Sequence, residues 1–130
     1  MGSLSGYCIY ALLHSQELTR QFAEGGCHKL IEHKVWKTGG QLWAEAGQCG
    51  ERMPVVFSGA DRDTGLFYWA VIDEITVDYE KRETTCSYSD LREIRPAKPL
   101  SALYLRTGNR QLSDTMIRPY AICLTPDFLV

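Results

Sequence analysis

Residues 26–36, GCHKLIEHKVW, crowd a glycine, two lysines, a glutamate and a tryptophan together, and these are residue types that can grip an anionic, planar ligand. Lys29 and Lys34 can contact phosphate oxygens, while Glu32 can accept a hydrogen bond from a base edge or orient a lysine. Trp36 offers a ring on which a base can stack, an interaction worth about 1–3 kcal/mol. The same residues also have a plainer reading. On an extended strand Lys29 and Glu32 point to opposite faces, and they share a cleft only where the strand bends, as at a bulge. Glu32 and Lys34 would share a face and make an exposed ion pair worth under about 1 kcal/mol.

Other constellations offer less. Lys29 and Glu74 are candidate proton-transfer groups, Glu74 because polarity first appears on its face near the end of a long apolar strand. Asp73 beside it should point the other way, which argues against a carboxylate dyad. Trp36 and Trp43 flank a glycine turn and can be exposed there, whereas Trp69 sits mid-strand and reads as core, and core packing leads for all three. His28 and His33 are five apart and align on neither a strand nor a helix. Cys27 next to His28 lacks the paired spacing of zinc sites, so no metal is expected, and a structural thiol is the leading reading over a nucleophile. The glycine stretches GGCHK and TGGQ lack the spacing of a phosphate-cradling loop, and no cofactor is expected. Arg92, Arg95 and Lys98 read as a solvated loop, with nucleic-acid contact as the alternative.

Composition bounds these options. A chain of 130 residues, 45% hydrophobic and 23% charged, fits one ordinary domain with a core of its own. The formal charge of −2 argues against a strong non-specific polyanion binder. The average hides a polarity: residues 92–118 carry six basic and two acidic side chains, residues 73–83 five acidic and two basic. Five cysteines without paired spacing, and an amino-terminal stretch with no positive start, lead to the expectation of reduced thiols in a cytoplasmic protein. No apolar run approaches the roughly 20 residues that span a bilayer. Gly2 raises myristoylation, but that site wants Ser or Thr where Gly6 stands.

The elements that must position these groups are mostly strands. Residues 6–13 form a β-leaning apolar run. Ser15 then reads as the N-cap of a helix with Leu18 and Phe22 on one face, stopped by Gly25 and Gly26. Residues 28–36 read as a strand broken by Gly39 and Gly40, and residues 41–46 have no clear type. Residues 53–58 read as a strand, followed by the turn-rich GADRDTG. Residues 66–78 give the strongest strand signal, apolar on both faces and therefore covered on both sides. Residues 82–88 suit a hairpin partner, residues 100–105 another strand, 113–117 a helical turn and 120–124 a last strand.

Taken in order, about the first 80 residues supply a strand, a short helix ending in glycine, a segment of the form Gly-x-Lys-x-x-Glu-x-Arg and an apolar strand. This succession resembles the ASCH domain, which belongs with EVE domains to the PUA-like superfamily. The corresponding residues are Gly26, Lys29, Glu32 and Lys34, with Trp36 just beyond. Here the glycine-to-lysine gap is one residue longer, lysine stands where arginine is expected, and the tail from Glu83 takes no part. The resemblance implies a pseudo-barrel with a cleft beside this segment, often associated with RNA or modified bases. One ASCH branch hydrolyses acetylated cytidine with lysine, threonine and glutamate. Its threonine stands three residues after the lysine, where this chain has Glu32, and the expectation moves from catalysis toward binding.

The sequence therefore predicts one α+β domain over residues 1–130, a small mixed, largely antiparallel β-barrel of PUA-like type with a few short helices. Its expected role is binding RNA or a modified nucleotide through a cleft edged by Lys29, Glu32, Lys34 and Trp36, away from membranes. The rivals are a hydrolase acting on a modified, acylated nucleoside with Lys29 and Glu74 as proton-transfer groups, and a regulatory domain that binds a protein partner and no nucleic acid.

Overall fold

The structure, a computed structural model, describes residues 3–59, 65–107, 110–112 and 120–129. Among them six strands form one mixed sheet: β1 (Tyr7–Leu13), β2 (Cys27–Glu32), β3 (Pro54–Gly59), β4 (Leu66–Asp78), β5 (Glu83–Lys98) and β6 (Tyr120–Leu124). The strand order is β2-β5-β4-β3-β1-β6, antiparallel throughout except for the parallel β1–β3 pair. A parallel pair needs a long crossover, and the connection from β1 to β3 carries α1 (Ser15–Glu24), β2 and α2 (Lys37–Gln48). No pairing joins β2 to β6 among the described residues, so the sheet is open and the architecture is a small mixed α+β sheet with two helices.

Both faces of the central strands are covered, which is why their sequences run apolar rather than alternating. On the helix side Ile9, Val55, Phe57, Ile72, Cys86 and Tyr88 pack with Leu18 of α1, Leu30 of β2 and Trp36. On the other side Tyr10, Val56, Trp69, Val71 and Ile94 pack under Leu100, Leu103, Leu112 and Leu129 of the C-terminal segment. Each such fully buried side chain contributes about 1.5–3 kcal/mol of transfer free energy. No helix among the described residues is long and apolar enough to cross a membrane.

Local departures from the sequence reading have physical causes. His14, not Ser15, is the N-cap residue of α1. The helix ends as expected: Gly25 and Gly26 have φ of +69° and +79°, a region that favours glycine, and the Gly25 N–H donates to the Gln21 carbonyl at 2.9 Å. Gly39 and Gly40 do not break the chain but lie in the first turns of α2. A Cβ at Gly39 would come within 3.1 Å of the Tyr120 hydroxyl and 3.2 Å of Ile9 Cδ1, so close packing of α2 on the sheet outweighs poor helix propensity. Strand β2 stops at Glu32. Thr84 then anchors the turn into α2, its hydroxyl donating to the Lys34 carbonyl (2.6 Å) and accepting from the Trp36 N–H (3.0 Å). Strand β5 is more than twice the expected length; Arg92 and Lys98 pair with β4, and Arg95 lies between them where the strand bulges. Leu100–Ala102 is a 3-10 turn instead of a strand, followed by isolated bridges at Tyr104 and Leu105. Residues 113–117 lie outside the described residues, as do 60–64 of the turn-rich stretch.

Candidate functional site

Strand pairing settles where the sequence-predicted groups point, because directly paired residues share a face. Leu30 pairs with Cys86 and faces the helix-side core, so Lys29 and Ile31, paired with Ser87 and Thr85, face the opposite, open side. Glu32 is on the helix side, half-buried, and burial pushes its carboxyl above the usual range against the opposing pull of Lys34 and His33. Lys34 is exposed past the end of β2. Trp36 is fully buried and stacks on Tyr120, with centroids 4.5 Å apart and planes 10° from parallel. Its Nε1 is buried with no hydrogen-bond partner among the described residues. Lys29, Glu32, Lys34 and Trp36 therefore do not meet in one cleft.

The structure does bring Lys29 and Glu74 into one cross-strand row. Ser87 of β5 pairs with Lys29 on one side and Glu74 on the other, so all three share the open face. Two strand spacings put the outer Cα atoms about 10 Å apart. The next row is Ile31, Thr85 and Thr76. Asp73 is an extra residue between Ile72 and Glu74 in the β4–β5 ladder, and Ser89 Oγ donates to its Oδ1 at 3.1 Å. Through this bulge both carboxylates reach the open face, contrary to simple alternation. Cys27 and His28 lie on opposite faces, His28 beside Tyr88 with its Nε2 2.9 Å from the Gly25 carbonyl oxygen. No three His, Cys, Asp or Glu side chains among the described residues stand close enough to share a metal ion.

A different feature makes the concave site. Leu66 pairs with Lys98 and Tyr68 with Glu93, so two steps along β4 correspond to five along β5. Residues 94–97 leave the ladder opposite Phe67, and the gap between this bulge and α1 is a cavity of about 430 Å³. That volume lies within the roughly 300–1,000 Å³ usual for small-molecule sites. Phe67 and Tyr68 supply aromatic wall, Ser15 and Thr19 hydroxyls from α1, and Glu93 and Arg95 charge. Phe22 of α1, exposed by 39%, packs on the Tyr68 ring at 5.4 Å. Arg95 Nε donates to Glu93 Oε2, and that bond holds the Glu93 carboxyl below its usual range, so the pair is ionised at neutral pH.

Helix α1 is fixed against this cavity by a buried polar contact. The Tyr88 hydroxyl donates to Gln21 Oε1, and Gln21 Nε2 donates in turn to Glu17 Oε2 at 2.9 Å. Glu17 also pairs with Arg20, and these bonds hold its carboxyl at about 2. Sequence reasoning placed Arg95 in a solvated loop and did not single out Tyr68 or Glu93. The available signal was Pro96: proline inside a strand pattern marks an edge or a bulge. No protein-family model matches the chain, and no curated protein matches it.

Proposed function

We propose that this protein binds RNA or a modified nucleotide, with a base held in the cavity between α1 and the β5 bulge. The observation that carries the reading is that two aromatic rings, Phe67 and Tyr68, and an ionised Glu93–Arg95 pair line one concave site. Rings suit a planar base, and the charged pair suits its polar edge or an adjoining phosphate. The overall charge of −2 favours such a local pocket over a broad basic surface. Lys29 and Lys34, exposed on and just past edge strand β2, are the cations this reading offers to the backbone of a longer RNA. A PUA-like pseudo-barrel is the finer fold within the same proposal, supported by the mixed sheet and by the crossover that returns β3 parallel to β1. Titration of fluorescent single-stranded RNA at two salt concentrations tests it. Tyr68→Ala and Arg95→Glu should each weaken binding about tenfold or more with the circular dichroism spectrum unchanged. Affinity untouched by both variants would refute the proposal.

A second reading is favoured by the Lys29–Ser87–Glu74 row, which places an amine, a hydroxyl and a carboxylate on one accessible face. In that reading the protein hydrolyses an acylated nucleoside, with Lys29 and Glu74 as proton-transfer groups. Turnover of N-acylated cytidine that disappears in both Lys29→Ala and Glu74→Gln would support it, and absence of turnover in the unaltered protein would remove it.

A further inference from the structure

We infer that the base accepted by this cavity is guanine, read by Glu93 and Arg95 acting as one composite edge; the inference rests on the nucleotide-binding reading of the cavity. Glu93 and Arg95 flank Ile94, whose side chain enters the core on the far side of the sheet, and both line the cavity facing α1. Their side chains are joined, Arg95 Nε donating to Glu93 Oε2, so the two polar ends lie side by side. An ionised carboxylate only accepts hydrogen bonds, and a guanidinium only donates them. With Oε2 and Nε engaged to each other, the wall offers Oε1 and the remaining lone pair of Oε2 as acceptors and then the terminal Arg95 nitrogens as donors. The cross-strand partner of Glu93 is Tyr68, whose ring lies on the same face and supplies the stacking surface next to that edge.

Each common base can be compared with this order. Guanine carries, in succession around its rim, the N2 amine and N1–H as donors and then O6 and N7 as acceptors. That is the complement of a carboxylate followed by a guanidinium. Adenine has a lone acceptor at N1 beside its N6 amine, cytosine has acceptors at O2 and N3 before its N4 amine, and uracil has one donor between two carbonyls. Each of these three offers a single donor group beside its acceptors, adenine also through N6 and N7, and so gives the Glu93 carboxylate one hydrogen bond where guanine gives two. Arg95 is 80% exposed, so its outer nitrogens can also reach a 5′-phosphate at the mouth of the site.

The test is isothermal titration calorimetry of the full chain with the 5′-monophosphates of guanosine, inosine, adenosine, cytidine and uridine. The expected result is guanosine monophosphate binding at least tenfold tighter than the adenosine, cytidine and uridine monophosphates. Inosine monophosphate, which lacks only the N2 amine, should fall between. Glu93→Gln, which exchanges an acceptor for a donor, should erase the guanosine preference, while Tyr68→Ala should weaken every nucleotide alike. If the nucleotides bind with equal affinity, or another base is preferred, guanine reading is overturned while nucleotide binding stands. If none of the five binds, both are overturned. A guanosine preference that survives Glu93→Gln also overturns it, since the discrimination would then come from elsewhere.

Discussion

Replacing Tyr88 by phenylalanine removes one oxygen from the interior and strands another. Tyr88 is fully buried, and its hydroxyl donates to Gln21, itself 3% exposed. The phenylalanine ring keeps its packing on Phe57, whose centroid lies 5.0 Å away, so almost no apolar contact is lost. What changes is Gln21 Oε1, left buried without a donor, at a cost of about 1–3 kcal/mol. Gln21→Met alone strands the tyrosine hydroxyl for a similar amount, and also gives up the bond from Gln21 Nε2 to Glu17. Changing both partners removes the unmet groups together, so Tyr88→Phe with Gln21→Met should cost less than the sum of the single changes by about 1–3 kcal/mol. Urea unfolding of the four proteins at pH 7, followed by far-ultraviolet circular dichroism, measures each term in a double-mutant cycle. Additive losses, or a Tyr88→Phe loss under about 0.5 kcal/mol, would refute the argument that this hydrogen bond docks α1 onto the sheet.

Thiol reagents should modify Cys27 and Cys49 quickly in the native protein and reach the buried Cys8, Cys86 and Cys123 only on unfolding, which a time course with Ellman's reagent resolves. Burial pushes the Cys86 and Cys123 thiols up to about 12 and Cys8 well above its ordinary value, so the unfolded chain loses these protons first. Stability from these groups is complete below about pH 8.5 and falls as pH rises toward the folded values; the urea midpoint should be lower at pH 10 than at pH 8. Gly26→Ala forces a side chain onto φ of +79° and should cost about 1–2 kcal/mol in urea unfolding, whereas Gly47→Ala, in open space on α2, should stabilise by up to about 1 kcal/mol. Thr84→Val keeps the shape but removes the oxygen that joins the Lys34 carbonyl to the Trp36 N–H, and should lower stability by about 1–3 kcal/mol in the same assay.

What could be read from the residues alone depended on how local its cause was. Strand β4 was readable to both ends because Leu66–Ile72 is apolar on both parities and Ile75 and Val77 carry one parity on toward Asp78, a property of that stretch itself. The end of α1 was equally plain, since two successive glycines supply the left-handed turn on the spot. Helix α2 was hidden because the reason for Gly39 lies at Ile9 and Tyr120, far away in sequence, and glycine pairs otherwise signal a break. The opposition of Lys29 and Glu32 across β2 follows from strand geometry alone. The cavity does not, because it arises from unequal step counts on β4 and β5, and register belongs to the pair rather than to either strand. Trp36 shows the limit in the other direction. Its place beside a glycine turn allowed exposure while core packing led, and the structure does bury it, but against a ring, Tyr120 of β6, that no local pattern could name.

The place of β1, between β3 and β6, bears on how the chain is made. Synthesis delivers β1 before the other five strands, yet one of its two neighbours is the sixth, and the Cys8 thiol meets the Leu124 carbonyl across 116 residues. At about 5–20 residues per second, a ribosome holds β1 for several seconds with one ladder edge unmet. Such long-range pairing is slow to close, and an apolar strand waiting for its partner is open to other nascent chains. Stalling or truncation before β6 should therefore favour aggregation over a smaller folded unit, and the emergence of β6 becomes the step that commits the polypeptide to its native sheet.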